Sequence, residues 1–146
     1  MSTLEFVCVD DTKEFRKLVG NAATNHGKSS KTGRRLKAIL QENLTELQEF
    51  VRAVERGDAN VPSFFVLDLV MDNEDDGIQA LEEIRQSTSL RNTPVIIHSS
   101  HFDQSTIEQG YVLNANSLVE KPSTGEKQLE VVKEILDYWV ERNKSQ

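Results

Sequence analysis

Two hydrophobic patterns alternate along this chain. Short, nearly continuous apolar runs, typical of buried strands, are each followed by a stretch in which apolar residues recur every three or four positions, typical of an amphipathic helix. The continuous runs span residues 4–9, 62–69, 94–98 and 117–120, whereas apolar and polar residues alternate over residues 36–40, as in a strand nearer the edge of the sheet. Because strands and helices alternate strictly, the pattern predicts an α/β fold in which helices cover both faces of a five-stranded parallel sheet.

The helices are marked by their apolar stripes and, in one case, by a capping signal. Asn43, with Glu46 three residues later, has the spacing of a helix start that side chains cap. A fourth helix is predicted over Ile107, Tyr111 and Val112. The last helix carries the longest apolar stripe, which consists of Leu129, Val132, Ile135, Leu136, Trp139 and Val140.

Polar side chains stand at the carboxyl ends of four of the five predicted strands. They are Asp10 and Asp11 after the first strand, Asp68 at the end of the third, Ser99 and Ser100 after the fourth, and Lys121 after the fifth. Taken one at a time, an acid after a strand is more often a helix cap, and a lysine before a proline is more often solvated. The carboxyl ends of parallel strands share one edge of the sheet, however, so these side chains are expected to converge in a site.

The converging side chains suit phosphoryl transfer. Three crowded carboxylates repel one another unless a cation lies among them, and oxygen ligands together with water suit Mg²⁺. A metal ion, the ammonium group of Lys121 and the hydroxyl group of Ser99 would together neutralise the equatorial oxygens of a transferred phosphoryl group. Asp68, on the central predicted strand, is the expected nucleophile and would become an acyl phosphate.

Composition narrows the classes of function. The 146 residues are 37% hydrophobic and 28% charged, which is typical of one soluble globular domain over residues 1–146. A formal net charge of −7 disfavours binding to nucleic acid. Cys8 is the only cysteine, so there is no disulfide framework. The chain has no apolar run of about 18 residues and no export signal, so we expect no membrane span and a cytoplasmic location.

The polar motifs resemble those of the receiver domains of two-component response regulators, over essentially the whole chain. The family's acidic pair matches Asp10 and Asp11, its phosphoacceptor matches Asp68, its Ser/Thr matches Ser99, and its Lys-Pro matches Lys121-Pro122. Each motif alone is weak, whereas the complete set in order at matching spacings is specific. The resemblance implies a flavodoxin-like, doubly wound sheet with strand order 2-1-3-4-5 and five helices. It also suggests a cis Lys121–Pro122 bond that aims the lysine into the site.

The resemblance further implies how such a site is used. Mg²⁺, or Mn²⁺ in its place, would be held by Asp11, Asp68 and the main-chain carbonyl of Val70, with Asp10 acting partly through water. Asp68 would accept a phosphoryl group from a histidine kinase or a phosphotransfer protein. A stand-alone receiver would then bind an unidentified downstream protein or pass the phosphoryl group onward, and would catalyse only its own phosphorylation and slow dephosphorylation. The last helix resembles that of single-domain regulators that serve phytochrome-type kinases, and Trp139 on this helix leaves homodimerisation open.

Two other classes of function share part of this pattern. An aspartate-nucleophile phosphohydrolase generally has a second aspartate two residues after the nucleophile, where this chain has Val70. A non-phosphorylated pseudo-receiver that serves as an interaction module usually lacks an acid, the acceptor or the lysine, and none of these is lost here. Both alternatives are therefore less favoured than a phosphorylated receiver.

Several positions depart from the pattern of the family. Leu118 replaces the aromatic residue that is usual three positions before the lysine, so the usual aromatic switch is expected to be weak. Ser100 follows Ser99 where Ala or Gly is common, which leaves open whether the two share the phosphoryl contact. Val70 and His101 flank the expected approach of a hydrolytic water. Because Val70 has no group that holds a water, we expect slow self-dephosphorylation.

Other candidate sites have simpler interpretations. The stretch Gly27-Lys28-Ser29 is not a phosphate-binding loop, because Ala22 stands where that motif needs a glycine. His98 and His101 are not expected to bind zinc, since no cysteine or further histidine lies near them in the sequence. The acids after the third strand are expected to be solvated; they are Asp72, Glu74, Asp75 and Asp76.

Overall fold

Five strands and five helices alternate along the described part of the chain. The computed structural model describes residues 3–29, 34–100 and 102–142. Its strands are β1 (Thr3–Val9), β2 (Arg35–Gln41), β3 (Phe65–Asp68), β4 (Val95–Ser99) and β5 (Ser117–Glu120). Its helices are α1 (Lys13–Ser29), α2 (Leu44–Glu55), α3 (Asp76–Gln86), α4 (Gln104–Val112) and α5 (Gly125–Leu136), and α5 continues into a π-helical segment, Asp137–Arg142. The predicted succession of strand–helix units is confirmed.

The strands form one parallel sheet in the order β2-β1-β3-β4-β5. This is the predicted flavodoxin-like order. The register pairs Val9 with Leu67, and Asp68 with His98. The carboxyl ends of the three central strands therefore lie side by side, and the residues that follow them meet at one edge of the sheet.

The sheet separates two hydrophobic cores. Side chains of β1 alternate between them, with Val7 and Val9 in the core that α2 and α3 cover, and Phe6 and Cys8 in the core that α1 and α5 cover. Where a strand is buried on both faces, as β1 is over residues 6–9, successive residues must be apolar, which explains the continuous runs in the sequence. Trp139 is half-buried against the second core, as expected of a residue on the last apolar stripe.

Side chains cap the starts of three helices. Asn43, Asp103 and Thr124 each accept a hydrogen bond from the backbone N–H three residues later, at 2.9, 2.8 and 3.3 Å respectively. Such caps satisfy N–H groups that a helix cannot pair internally, and each typically contributes about 1 kcal/mol. The predicted start of α2 at Asn43 is confirmed.

Helix α4 lies where it was predicted, but two of the apolar residues used to predict it are exposed rather than buried. Tyr111 and Val112 are 61% and 79% exposed. Gly110 faces the sheet instead, and a Cβ on it would lie 3.1 Å from Cδ2 of Leu118. The backbone of α4 therefore packs directly against the Leu118 side chain. None of the helices in the described ranges is long and apolar enough to cross a membrane.

Candidate phosphoryl-transfer site

A buried cluster of charged side chains occupies the carboxyl edge of the sheet. Lys121 Nζ donates a hydrogen bond to Asp10 Oδ2 at 3.0 Å and lies 4.0 Å from Asp68 Oδ2. Asp10 is fully buried and Asp68 is 8% exposed. The same ammonium group lies 4.2 Å from the centroid of the Phe15 ring, which is a cation–π contact. The structure therefore brings together Asp10, Asp68 and Lys121 from three different strand ends, as the alternating pattern predicts.

Asp10 is held in place by the turn between β1 and α1. Its Oδ1 accepts a hydrogen bond from the Thr12 N–H at 2.8 Å, and its main-chain carbonyl accepts one from Arg16 Nη1 at 2.8 Å. These bonds fix the turn that leads into α1 and leave Oδ2 to accept from Lys121. Asp10 thus caps the turn and also contributes a carboxylate to the site. Its interpretation as a helix cap and its interpretation as a site residue are therefore compatible. Asp11, the next residue, is exposed.

The Asp68 carboxyl group binds protons far more tightly than an ordinary aspartate. Burial, followed by the nearby Asp10 carboxylate, raises the pKa of Asp68 from 3.8 to about 7. Lys121 and a hydrogen bond from the Val70 backbone lower this pKa, whereas Asp11 raises it further. The single ammonium group of Lys121 therefore does not neutralise the crowded carboxylates.

The backbone after Asp68 approaches the start of α3 closely. The Gly77 N–H donates a hydrogen bond to the Leu69 carbonyl at 2.8 Å. A Cβ on Gly77 would lie 2.5 Å from Leu69 Cα, closer than side chains approach backbone atoms, so the position requires glycine. The prediction that Asp76 is solvated is wrong, because this side chain is buried and its Oδ2 accepts a hydrogen bond from the Asn73 N–H at 3.0 Å. The other acids of this loop are exposed as predicted; they are Asp72, Glu74 and Asp75.

Comparison with known proteins identifies the family. Residues 6–133 match the model of the response regulator receiver domain. The chain belongs to the response regulator receiver family. The match spans the strand ends that carry Asp10, Asp68 and Lys121, and receivers are signalling modules of two-component systems rather than enzymes of the usual kind.

Two curated relatives of this receiver align with about two thirds of it. FilR2, a probable methanogenesis regulatory protein of Methanothrix harundinacea, is 30% identical over 97 residues, which cover 66% of this chain and 62% of FilR2. Rcp1, a response regulator of Synechocystis sp., is 25% identical over 103 residues, which cover 70% of this chain and 69% of Rcp1. The receiver thus spans less than two thirds of the length of FilR2 and somewhat more of Rcp1.

Solved structures share the fold of this receiver. The phosphorylated cyanobacterial phytochrome response regulator RcpA superposes with a TM-score of 0.84 at 22% identity, covering 97% of each chain. The Mn²⁺-bound form of Rcp1 superposes with a TM-score of 0.83 at 22% identity, covering 98% of this chain and 99% of Rcp1. The coverage includes the whole sheet and the last helix, so the likeness holds for the complete fold.

A divalent cation fits the site of this receiver. Among the described residues, the carboxylates of Asp10, Asp11 and Asp68 outnumber the ammonium group of Lys121, and burial, followed by the Asp10 carboxylate, raises the pKa of Asp68. Carboxylate oxygens, with the exposed Asp11 facing water, form the donor set that Mg²⁺ and Mn²⁺ prefer. The individual roles of Asp11 and of the Val70 carbonyl as ligands stay predictions.

The remaining predicted site residues lie at or near the carboxyl end of β4. Ser99 is buried, and its carbonyl accepts a hydrogen bond from the Lys121 N–H at 2.7 Å. The prediction of a cis Lys121–Pro122 bond is wrong, since no cis peptide bond occurs among the described residues. The pairing of Lys121 with Ser99 already carries the lysine to the carboxylates. Ser100 is exposed and His101 lies outside the described residues, so contact of the Ser99 hydroxyl group with a phosphoryl group stays a prediction.

His98 is a member of the cluster that the sequence did not reveal. Its side chain is 1% exposed, packs on Phe15 with ring centroids 4.4 Å apart, and places Nε2 3.9 Å from Asp10 Oδ2. Burial, as the largest cause, lowers the pKa of His98 from 6.5 to about 4, so the ring is neutral at neutral pH. The one signal in the sequence is a histidine inside an otherwise apolar strand. Apart from His101, no histidine or cysteine lies near it in the sequence, and sequence spacing gave no sign that it lies close to two aspartates.

Proposed function

We propose that this receiver accepts a phosphoryl group on Asp68 and signals through the resulting change at the charged edge of its sheet. The observation that carries the proposal is the buried contact of Lys121 with both Asp10 and Asp68. A carboxylate nucleophile beside a fixed ammonium group suits the transfer of a negatively charged group. Ser99, at the end of the neighbouring strand, is proposed to donate a hydrogen bond from its hydroxyl group to the phosphoryl oxygens.

The transfer begins with attack of an ionised Asp68 oxygen on the phosphorus atom of the donor. A new P–O bond forms, the bond between phosphorus and the leaving atom of the donor breaks, and the leaving group keeps the electron pair and takes up a proton. The product is an acyl phosphate on Asp68. Lys121 pairs with a phosphoryl oxygen, and later attack by water on phosphorus restores the carboxylate and releases inorganic phosphate.

A divalent cation is proposed to complete this site. Asp11, Asp68 and the main-chain carbonyl of Val70 would hold Mg²⁺, with Asp10 acting partly through water. When bound, the ion favours the ionised form of Asp68 and neutralises the phosphoryl oxygens. Mn²⁺ is expected to substitute, which agrees with the Mn²⁺-bound form of the similar regulator Rcp1.

The partners follow from the same reaction. The proposed donor is a cytoplasmic histidine kinase or phosphotransfer protein, and the likeness to the phytochrome response regulator RcpA favours a phytochrome-type kinase. The output is binding of a downstream protein or onward phosphotransfer. Helix α4 exposes Tyr111 and Val112 to such a partner. Trp139, in the segment Asp137–Arg142 that follows α5, leaves homodimerisation open.

Intact-mass measurement tests the proposed function. The protein is incubated with acetyl phosphate and Mg²⁺, and a parallel sample contains EDTA instead of Mg²⁺. Wild type is expected to gain one phosphoryl group only with Mg²⁺, Asp68→Asn none, and the exposed-loop control Asp72→Asn the same as wild type. Turnover of phosphate esters would identify a phosphohydrolase, and no mass gain in any sample would identify a pseudo-receiver. Either result would overturn the proposal.

A further inference from the structure

The proposed phosphoryl transfer assigns no role to the buried imidazole of His98. Its side chain is 1% exposed, and neither ring nitrogen makes a hydrogen bond to a described residue. The backbones of His98 itself and of Leu67 raise the pKa of the ring, but neither makes a hydrogen bond of acceptable geometry with it. Burying a polar group without a partner is unfavourable, so such groups are uncommon unless they bind something.

The His98 ring lies against two carboxylates. One ligand atom from each of Asp10, Asp68 and His98 can be chosen so that all three lie within 4.8 Å of one another. In particular, Nε2 of His98 is 3.9 Å from Oδ2 of Asp10. Ligands around an ion with bonds of about 2.0–2.2 Å lie roughly 3–4 Å apart. Small side-chain movements therefore suffice to close the three atoms on one ion.

We propose that Asp10, Asp68 and His98 form a binding site for a transition-metal dication of the Zn²⁺ class. A neutral imidazole is a good ligand for Zn²⁺, Co²⁺ and Cu²⁺, whereas Mg²⁺ prefers oxygen atoms and keeps several waters. This site shares Asp10 and Asp68 with the expected Mg²⁺ site, but it uses the buried His98 in place of the exposed Asp11. The histidine therefore gives the same carboxylate cluster a second metal preference.

The ion and Lys121 exclude each other at this site. Nζ of Lys121 donates to Oδ2 of Asp10, the oxygen that also faces His98. A dication next to an ammonium group is strongly repelled in a buried environment, so Lys121 must leave Asp10 when the ion binds. The bound ion also occupies an oxygen of Asp68. It should therefore inhibit phosphorylation, a consequence that rests on the proposed function, whereas binding itself does not.

Calorimetric titration of the metal-free protein with Zn²⁺ tests the site without phosphorylation. Wild type is expected to bind one Zn²⁺ per chain. His98→Phe keeps a ring against Phe15 but removes the ligand, so its Zn²⁺ affinity should fall at least about tenfold while its Mg²⁺ affinity changes less than about twofold. The matched control His26→Gln, in the last turn of α1 far from the carboxyl edge, should retain both affinities. His98→Gln replaces His98→Phe if circular dichroism shows that the latter is unfolded.

A second variant is expected to move the affinity in the opposite direction. Lys121→Met removes the ammonium group that competes for Asp10, so Zn²⁺ should bind more tightly than to wild type. Weaker Zn²⁺ binding by a folded Lys121→Met protein would overturn the proposed competition.

Pulsed EPR of the Cu²⁺-loaded protein shows whether an imidazole is a ligand, and the histidine variants show which one it is. Coupling of the copper electron to an imidazole nitrogen is expected, and it should persist in His26→Gln and His101→Gln but disappear in His98→Phe. Absence of this coupling in wild type, or equal Zn²⁺ affinity of wild type and His98→Phe, overturns the proposal. The proposed function has its own test. If wild type binds Zn²⁺ as expected, but after removal of Zn²⁺ and addition of Mg²⁺ it is not phosphorylated, the result would contradict the proposed function and leave the Zn²⁺ site standing.

Discussion

Replacement of Asp68 by asparagine is expected to stabilise the metal-free protein at neutral and alkaline pH. The substitution keeps the shape of the side chain and removes a charge that burial and Asp10 disfavour. The pKa of Asp68 in the folded protein, about 7, lies above its ordinary value of 3.8. Between these values the folded protein binds a proton that the unfolded chain has released, so the free energy of unfolding falls as the pH rises. Asp68→Asn has no such loss.

The size of the effect follows from the two pKa values. Each tenfold change in proton affinity is worth about 1.4 kcal/mol, so the rise from 3.8 to about 7 corresponds to roughly 4 kcal/mol when Asp68 is fully ionised. The amide still needs hydrogen-bond partners and loses the attraction to Lys121, which offsets part of the gain. We therefore expect Asp68→Asn to be more stable than wild type by about 1–3 kcal/mol above about pH 8, with the gain vanishing near pH 4.

His98 makes it necessary to compare the two proteins rather than to follow wild type alone. Burial lowers the pKa of His98 from 6.5 to about 4, so this residue contributes stability that is lost as the pH falls through that window. Its effect is opposite in sign to that of Asp68 and partly hides it. The electrostatic causes of the His98 shift are Asp10 and Lys121, which both proteins retain, so the difference between the proteins isolates Asp68.

Urea unfolding in EDTA across this pH range measures the difference in free energy of unfolding. The control Asp72→Asn removes an exposed carboxylate from the adjoining loop and should change stability by less than about 0.5 kcal/mol. Saturating Mg²⁺ should raise the stability of wild type more than that of Asp68→Asn. A variant that is less stable than wild type at every pH, or a difference that does not depend on pH, would refute the conclusion that burial and the Asp10 carboxylate disfavour an ionised Asp68.

Three other substitutions test separate parts of the site. Asp11→Ala should abolish Mg²⁺ binding in calorimetry with the fold retained in circular dichroism, and an unchanged affinity would contradict its role as a ligand. Gly77→Ala should lower the free energy of unfolding by about 1–3 kcal/mol, because the added Cβ overlaps the backbone that follows Asp68. In the control Gly125→Ala the added Cβ has no atom within 4 Å, so equal melting temperatures of the two variants would contradict the prediction. Val70→Asn should speed the decay of phosphorylated protein up to about tenfold, or roughly 1.4 kcal/mol of barrier, and unchanged or slower decay would show that Val70 is not the gate.

The fold and the charged cluster are readable from the sequence because both faces of the sheet are covered. A strand such as β3 must then be apolar up to its carboxyl end, and a helix such as α5 must carry one continuous apolar stripe. Parallel pairing gives all strand ends one common edge. The meeting of Asp10, Asp68 and Lys121 therefore follows from the order of strands and helices, before any distance is known.

Contacts that depend on strand register, or on the close approach of two backbone segments, cannot be predicted from the sequence pattern in this way. His98 reaches the cluster because the pairing of β3 with β4 sets it opposite Asp68, and sequence spacing does not encode that pairing. Gly77 is required by its distance from Leu69, and Asp76 is buried because it closes the same loop on Asn73. These contacts join segments whose relative positions only the folded chain defines.

Chemical mapping of the phosphorylated residue tests most directly the claim that Asp68 is the acceptor. Protein phosphorylated in Mg²⁺ is treated with borohydride, which reduces an aspartyl phosphate to homoserine, and its peptides are sequenced by mass spectrometry. Homoserine is expected at position 68 of wild type, and at no position in the EDTA sample or in Asp68→Asn. Homoserine at Asp10, Asp11 or any other residue, with Asp68 unmodified, would contradict the assignment.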